Sequence, residues 1–275
     1  MKRNHAIAFS ALGLVLALSR GAEARISSLS DWSFQDRQAT PRGGLDQSAG
    51  FRLGWDGIPP PGADRGANFF HVPYQVAYGV HDQAEIGASW GLLWADRDGR
   101  SAQFGISDFT AAGRYRLYDA DRATRMPGLD LEFGFSFPTA SYEKGLGTGG
   151  LGILFNWGVV LPLDPLRAHF GMGFRYNTEN SDDVKVGSVF SYNAGLSLPL
   201  DRAGKKDVAV TGELKGFNHA RNKLKGSSVG STADELYLAP GALWKTPWGF
   251  QLHGAFLLGL TGASSNFGTA LEARF

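Results

Sequence analysis

The sequence predicts an all-β fold: a transmembrane, antiparallel, up-and-down β-barrel of about 12 strands. Three observations carry that prediction. The amino terminus has the layout of an export signal, the remainder alternates apolar and polar residues in segments of bilayer-crossing length, and the chain ends on Phe275 in such a segment.

The amino terminus comes first. Lys2 and Arg3 precede an apolar run from Ala6 to Leu18, and Ala22-Glu23-Ala24 supplies a small-x-small cleavage site. A membrane-spanning helix needs roughly 20 apolar residues, more than this run has, so residues 1–24 are expected to be a cleaved signal peptide. Residues 25–47 are polar and irregular, with Pro41 and Gly43-Gly44. They are expected to form a periplasmic segment, either disordered or folded into the barrel mouth. Residues 48–275 would then form the barrel.

Composition narrows the function classes. The chain has no cysteine, which excludes disulfides, thiolate metal sites and a cysteine nucleophile. Cleavage after Ala24 would remove Lys2, Arg3 and Arg20 against Glu23, leaving a nearly neutral chain. A nucleic-acid partner is not expected, because its footprint is a strongly basic surface. No cofactor is expected either.

Strands are expected near 49–57, 68–80, 84–94, 105–118, 129–138, 150–161, 166–177, 187–199, 207–217, 235–245, 249–260 and 267–275. The segment Leu129–Phe137 puts Leu129, Leu131, Phe133, Phe135 and Phe137 on one face and Asp130, Glu132, Gly134 and Ser136 on the other. Only a period of two does this; a helix would scatter both sets. Leu166–Tyr176 repeats the pattern with Phe170, Met172 and Phe174 against Arg167, His169 and Arg175. Such segments are about as long as a tilted membrane strand needs. The last strand sets Phe267, Leu271 and Phe275 on a lipid-facing side and Glu272 and Arg274 on the other. It is expected to seal against the strand carrying Phe51, Leu53 and Trp55, with Phe275 as the terminal assembly signal read by the barrel-assembly machinery.

An even strand number leaves both barrel ends in the periplasm. The connections agree for the most part: 81–83, 162–165, 201–206 and 246–247 are tight, while 58–67, 95–104, 139–149, 178–186 and 218–234 are longer outer loops. Connection 119–128 is long for a periplasmic turn, and 261–266 is short for an outer loop. Trp55, Tyr74, Trp90, Trp94, Tyr115 and Trp244 fall near strand ends, as an interfacial girdle or plain β-propensity would have it. A soluble β-sandwich, its apolar face turned inward, is the competing fold.

In the barrel, the polar face becomes the lumen. Its lining is expected to include Glu85, Asp108, Arg114, Arg116, Asp130, Glu132, Arg167, His169, Arg175, Glu213, Lys215 and Glu235, with Arg52, His253, Glu272 and Arg274 on the same face. Arg114 and Arg116 face the strand of Asp130 and Glu132, where they can pair across strands. These charges would form either a structural network or a polar passage. Eight strands are filled by side chains and sixteen leave an aqueous channel. Twelve lies between.

Catalysis finds little support. There is no Gly-x-Ser-x-Gly elbow and no His-Glu-x-x-His, and no histidine pair has ligand spacing. His81 and His219 are expected in connections, and His169 and His253 in the lumen. Gly145-Leu146-Gly147-Thr148-Gly149-Gly150 lacks the lysine of a phosphate loop and reads as a flexible outer loop.

Val72-Pro73-Tyr74 and Tyr78 through Gly87, then Ser107-Asp108-Phe109 leading to Gly113-Arg114-Tyr115-Arg116, resemble the outer-membrane protein family named for the meta-pathway of phenol degradation. Phe137-Pro138-Thr139 followed by Gly145-Leu146-Gly147-Thr148-Gly149 extends the resemblance, which covers residues 68–275. It implies a transporter-like barrel in the bacterial outer membrane, with outer-membrane lipids around it and small hydrophobic or aromatic solutes as cargo. The solute would meet loop residues such as Phe104, Tyr142 and Phe267 and leave by the lumen or laterally between strands. A structural or surface barrel with a plugged lumen is the alternative. An outer-membrane lipid hydrolase is a third reading.

Overall fold

The computed structural model describes residues 40–57, 67–97, 101–121, 123–200 and 207–275. The expected signal segment, residues 25–39 and connection 201–206 lie outside the described residues, as does 58–66 of the first outer loop.

Sixteen strands follow in order. They are β1 (Leu45–Gly57), β2 (Ala67–His81), β3 (Ala84–Arg97), β4 (Gln103–Ile106), β5 (Phe109–Tyr118), β6 (Gly128–Phe137), β7 (Gly152–Leu163) and β8 (Leu166–Asn177). Then come β9 (Val184–Lys185), β10 (Val189–Pro199), β11 (Val208–His219), β12 (Asn222–Leu224), β13 (Ser227–Val229), β14 (Ala233–Lys245), β15 (Gln251–Gly259) and β16 (Phe267–Arg274). The main sheet runs β2-β1-β16-β15-β14-β11-β10-β8-β7-β6-β5-β3, and pairing of β2 with β3 closes it. β4 and β5 are two pieces of one wall strand, since both pair with β3. The barrel therefore has twelve antiparallel walls. β13, β12 and β9 make a separate small sheet within the long connections 178–188 and 220–232.

Every expected strand is present, with two adjustments. β1 begins at Leu45 rather than at 49, so the end of the segment expected over 25–47 is part of the wall. The strand expected over 105–118 is interrupted at Ser107-Asp108.

The alternation is inside-out relative to a soluble protein. On β6, Phe133, Phe135 and Phe137 are exposed while Asp130, Glu132 and Ser136 are buried. Exposed Phe155, Phe174, Leu196, Leu214 and Phe256 continue the apolar band around the outside. A sandwich would bury these side chains. An apolar belt on a barrel without edges is the arrangement a bilayer requires, because every backbone polar group must find a partner within the sheet. Contacts of Tyr74 with Trp90, Trp90 with Phe109, and Phe109 with Phe137 run a row of rings across β2, β3, β5 and β6.

One end carries tight turns such as Asp82-Gln83 and Asp164-Pro165; the other carries the long loops. The one long connection at the turn end is closed on itself. Asp121 pairs with Met126, and its carboxylate accepts hydrogen bonds from Thr124 Oγ1 at 2.7 Å and the Ala123 amide at 2.8 Å. Those two bonds hold the Asp121 carboxyl below the usual range.

β16 closes the barrel against β1 with Leu271 opposite Phe51, Thr269 opposite Leu53 and Phe267 opposite Trp55. Phe275 continues the ladder, donating to Gln47 O at 2.9 Å and accepting from Gln47 N at 3.3 Å. Phe267 and Leu271 are exposed on the lipid-facing side, but Phe275 is buried. In place of the expected lipid contact, the Phe250 ring packs against it, with 6.1 Å between ring centres.

Candidate functional site

The interior is where the fold gathers its chemistry. Glu85, Asp108, Arg114, Arg116, Asp130, Glu132, His169, Glu213, Lys215 and Glu235 are all buried on the face opposite the apolar band, and Arg167 and Arg175 are half-buried there.

Near the turn end, Arg114 pairs with Glu85 at 2.8 Å. The Thr40 amide and hydroxyl both donate to the other Glu85 oxygen at 2.8 Å. Thr40, barely exposed, thus brings the chain preceding β1 against the inner wall. Arg116 forks onto Asp130 at 2.8 and 3.2 Å and also reaches Asp119. Glu132 accepts from Asn156 Nδ2 at 2.7 Å. The cross-strand pairing expected between these arginines and β6 is realised for Arg116.

On the opposite wall, Glu213 lies between His169 Nε2 at 3.1 Å and Lys215 Nζ at 3.4 Å. Thr211 Oγ1 lies 3.3 Å from His253 Nε2. Higher up, Glu235 takes His219 Nε2 at 2.6 Å and the Tyr237 hydroxyl. His219 thus belongs to the end of β11 and to this network, not to a connection as expected. At the closing seam, Arg274 forks onto Asp46 at 2.8 and 3.2 Å. Burying a charge is affordable only with partners of this quality.

The loop end holds the largest departure from expectation. The stretch 145–150, expected to be a flexible outer loop, turns into the barrel. Asp108, buried in the break between β4 and β5, accepts from the Ala140 amide at 3.1 Å, the Thr148 amide at 2.9 Å and the Thr148 hydroxyl at 3.2 Å. Arg175 is close enough to act on the same carboxylate. Leu146, 1% exposed, packs with Ala140 against Phe69, Leu93 and Ala95 of the inner wall. The loop must come this close, and glycine permits it: a Cβ on Gly147 would sit 2.5 Å from Asp108 Oδ1. Among the described residues this is an apolar stopper seated against one side of the inner wall, on β2 and β3.

Two wall positions carry a signal visible in the sequence but unread there. Proline cannot donate to a ladder. Between β1 and β2 the pairs Ala49–Tyr74 and Arg52–His71 are made, but none is made at Gly50–Pro73 or Phe51–Val72. The seam between β14 and β15 repeats this, with Leu238–Leu258 and Gly241–Ala255 paired and nothing between, where Pro240 sits. A cavity at the first gap is lined by Phe51, Pro73 and Leu271 together with Arg52, Gln75 and His253. It is small and lies mostly on the lumenal face: Pro73, in register with buried His71 and Gln75, shares the side of Arg52 and His253, and Phe51 and Leu271 are its members from the outward-facing set. Of the loop residues named for solute contact, Phe104 and Phe267 lie on strands, β4 and β16. Both are exposed on the wall, Phe267 against Trp55 and Phe104 opposite Trp94, while Tyr142 is half-buried beside Gly149.

A closed twelve-stranded barrel, apolar outside and ion-paired within, defines a transmembrane β-barrel of the outer-membrane type. The chain belongs to the family described as putative MetA-pathway of phenol degradation, whose model matches residues 17–275. Among solved structures it is similar to a COG4313 outer membrane channel from Pseudomonas putida F1, with TM-score 0.71, 14% identity, and 88% of this chain and 98% of that chain covered. It is also similar to the translocator domain of the autotransporter NalP from Neisseria meningitidis, with TM-score 0.50, 12% identity, and 98% and 96% covered. At such identities these likenesses speak to the fold. No curated protein matches the chain.

Proposed function

We propose that this barrel admits small hydrophobic or aromatic solutes across the bacterial outer membrane, with the loop end outside and the turn end in the periplasm. The observation that carries the reading is the gap in the wall at Pro73. A solute with an apolar body and one polar group would have to part the wall at this weak seam, between Phe51 and Leu271 on its outer side and Arg52, Gln75 and His253 on its inner side. The name of the similar Pseudomonas channel supports a conducting rather than a catalytic barrel. So does the engagement of His169, His219 and His253 with wall partners rather than with a nucleophile–base pair.

The test is uptake of a fluorescent aromatic solute into proteoliposomes holding the full chain. Pro73→Val restores a ladder donor and should reduce uptake severalfold while ion conductance stays as it is. Unchanged uptake in this variant would overturn the reading. The second reading, a structural barrel with a plugged lumen, is favoured by the Leu146 stopper; it predicts neither uptake nor conductance in the wild-type protein.

A further inference from the structure

The small sheet beside the loop end sets two lysines against each other. In the β12–β9 pairing Lys223 lies directly opposite Lys185, and in the β12–β13 pairing Lys223 lies directly opposite Ser228. Directly opposed residues share a face, so two ammonium groups and a hydroxyl line up in one row. Like charges set directly opposite each other destabilise a sheet. Neither lysine has an ion-pair partner among the described residues.

The direction of that row is fixed by Tyr176. Lys185 Nζ lies over the Tyr176 ring, 3.8 Å from its centre. Tyr176 is 43% exposed and shares the lipid-facing side of β8 with exposed Phe174. The lysines therefore stand on the outside of the barrel, just beyond its apolar band, at the end carrying the long loops. Glu179 is the acidic group that acts on Tyr176 beside Lys185 and Lys223, leaving the cluster net positive. A membrane-facing cation pair at that height meets headgroups rather than bulk water. An ammonium pair with an adjacent hydroxyl suits a phosphate, which carries nearly two negative charges and several acceptor oxygens.

We propose that Lys185, Lys223 and Ser228 form a binding site for the phosphate of a phosphorylated outer-leaflet glycolipid. The lipid's acyl chains would run down the apolar wall past Tyr176 and Phe174. Its phosphate would relieve the lysine–lysine repulsion and tie the small sheet to the membrane. The proposal rests on the orientation given under Proposed function but not on any transported solute.

The test is native mass spectrometry of the full-length barrel in detergent, offered bis-phosphorylated lipid A, its dephosphorylated counterpart, or inorganic phosphate. The wild-type protein should retain one bis-phosphorylated lipid, lose it with the dephosphorylated form, and keep it when millimolar phosphate is added. The double variant Lys185→Gln/Lys223→Gln should retain it about tenfold less, a difference near 1.4 kcal/mol, and Lys185→Arg/Lys223→Arg should retain it. Folding of each variant is read separately from its heat-dependent gel mobility. Equal retention by the glutamine variant, equal retention of the dephosphorylated lipid, or displacement by free phosphate would each overturn the proposal. Because no membrane or solute flux enters this measurement, its failure is distinct from failure of the uptake reading.

Discussion

At the scale of single residues, Asp108 does the most with the least. One carboxylate takes three hydrogen bonds from two points of the same loop, Ala140 and Thr148. Hydrogen bonds to a charged group contribute roughly 1.5–3 kcal/mol each, enough together to keep a short loop seated. Asp108→Ala should therefore release 139–150, and limited proteolysis from the loop side should cut there many times faster than in the wild type. Gly147→Val should do the same for a steric reason, since its side chain would overlap Asp108 and Ala140. A loop equally resistant in both variants would show that the Leu146 packing alone holds it. The sequence shows Asp108 on the inward face, and it shows the glycines. It does not show that they meet, because alternation fixes a side chain's direction and says nothing about which distant loop will come to it.

At the scale of elements, β16 is held by three separate means. It has full ladders to β15 and β1, the buried Arg274–Asp46 fork, and the terminal Phe275 tucked against Phe250 and Gln47. Deleting Phe275 removes the last two backbone bonds of the closing seam together with its buried ring. Assembly in the outer membrane should drop severely, measured as the fraction of heat-modifiable barrel in membrane preparations; normal assembly would refute a closing role. Arg274→Ala is different in kind. It leaves Asp46 buried without its fork, a loss on the order of 3–5 kcal/mol, and should lower the temperature of the gel-mobility shift without preventing insertion. These elements were legible from sequence because a period of two, repeated at membrane-strand length, has few other meanings. The small sheet at the loop end was not, since two- and three-residue strands such as Val184–Lys185 are too short to show a period. The tucked Phe275 was not, because alternation gave its side of the wall correctly but not the Phe250 ring that covers it.

At the scale of the whole molecule, two different features bear on passage through the twelve-stranded barrel. The Leu146 loop folds onto the inner wall of β2 and β3 at the loop end. The ladder gaps at Pro73 and Pro240 weaken the wall at two seams that flank the β15–β16–β1 section. The seated loop and the wall gaps are separate features, and they should respond to separate changes. Asp108→Ala should raise single-channel ion conductance severalfold, because it unseats the stopper, and should leave aromatic uptake little altered. Pro73→Val should lower uptake and leave conductance alone, because it repairs the ladder far from the loop. The double variant should combine both effects independently, as changes without shared partners do. Parallel movement of conductance and uptake in every variant would mean a single route through the lumen, and the wall gap would then be only a local weakness of the sheet.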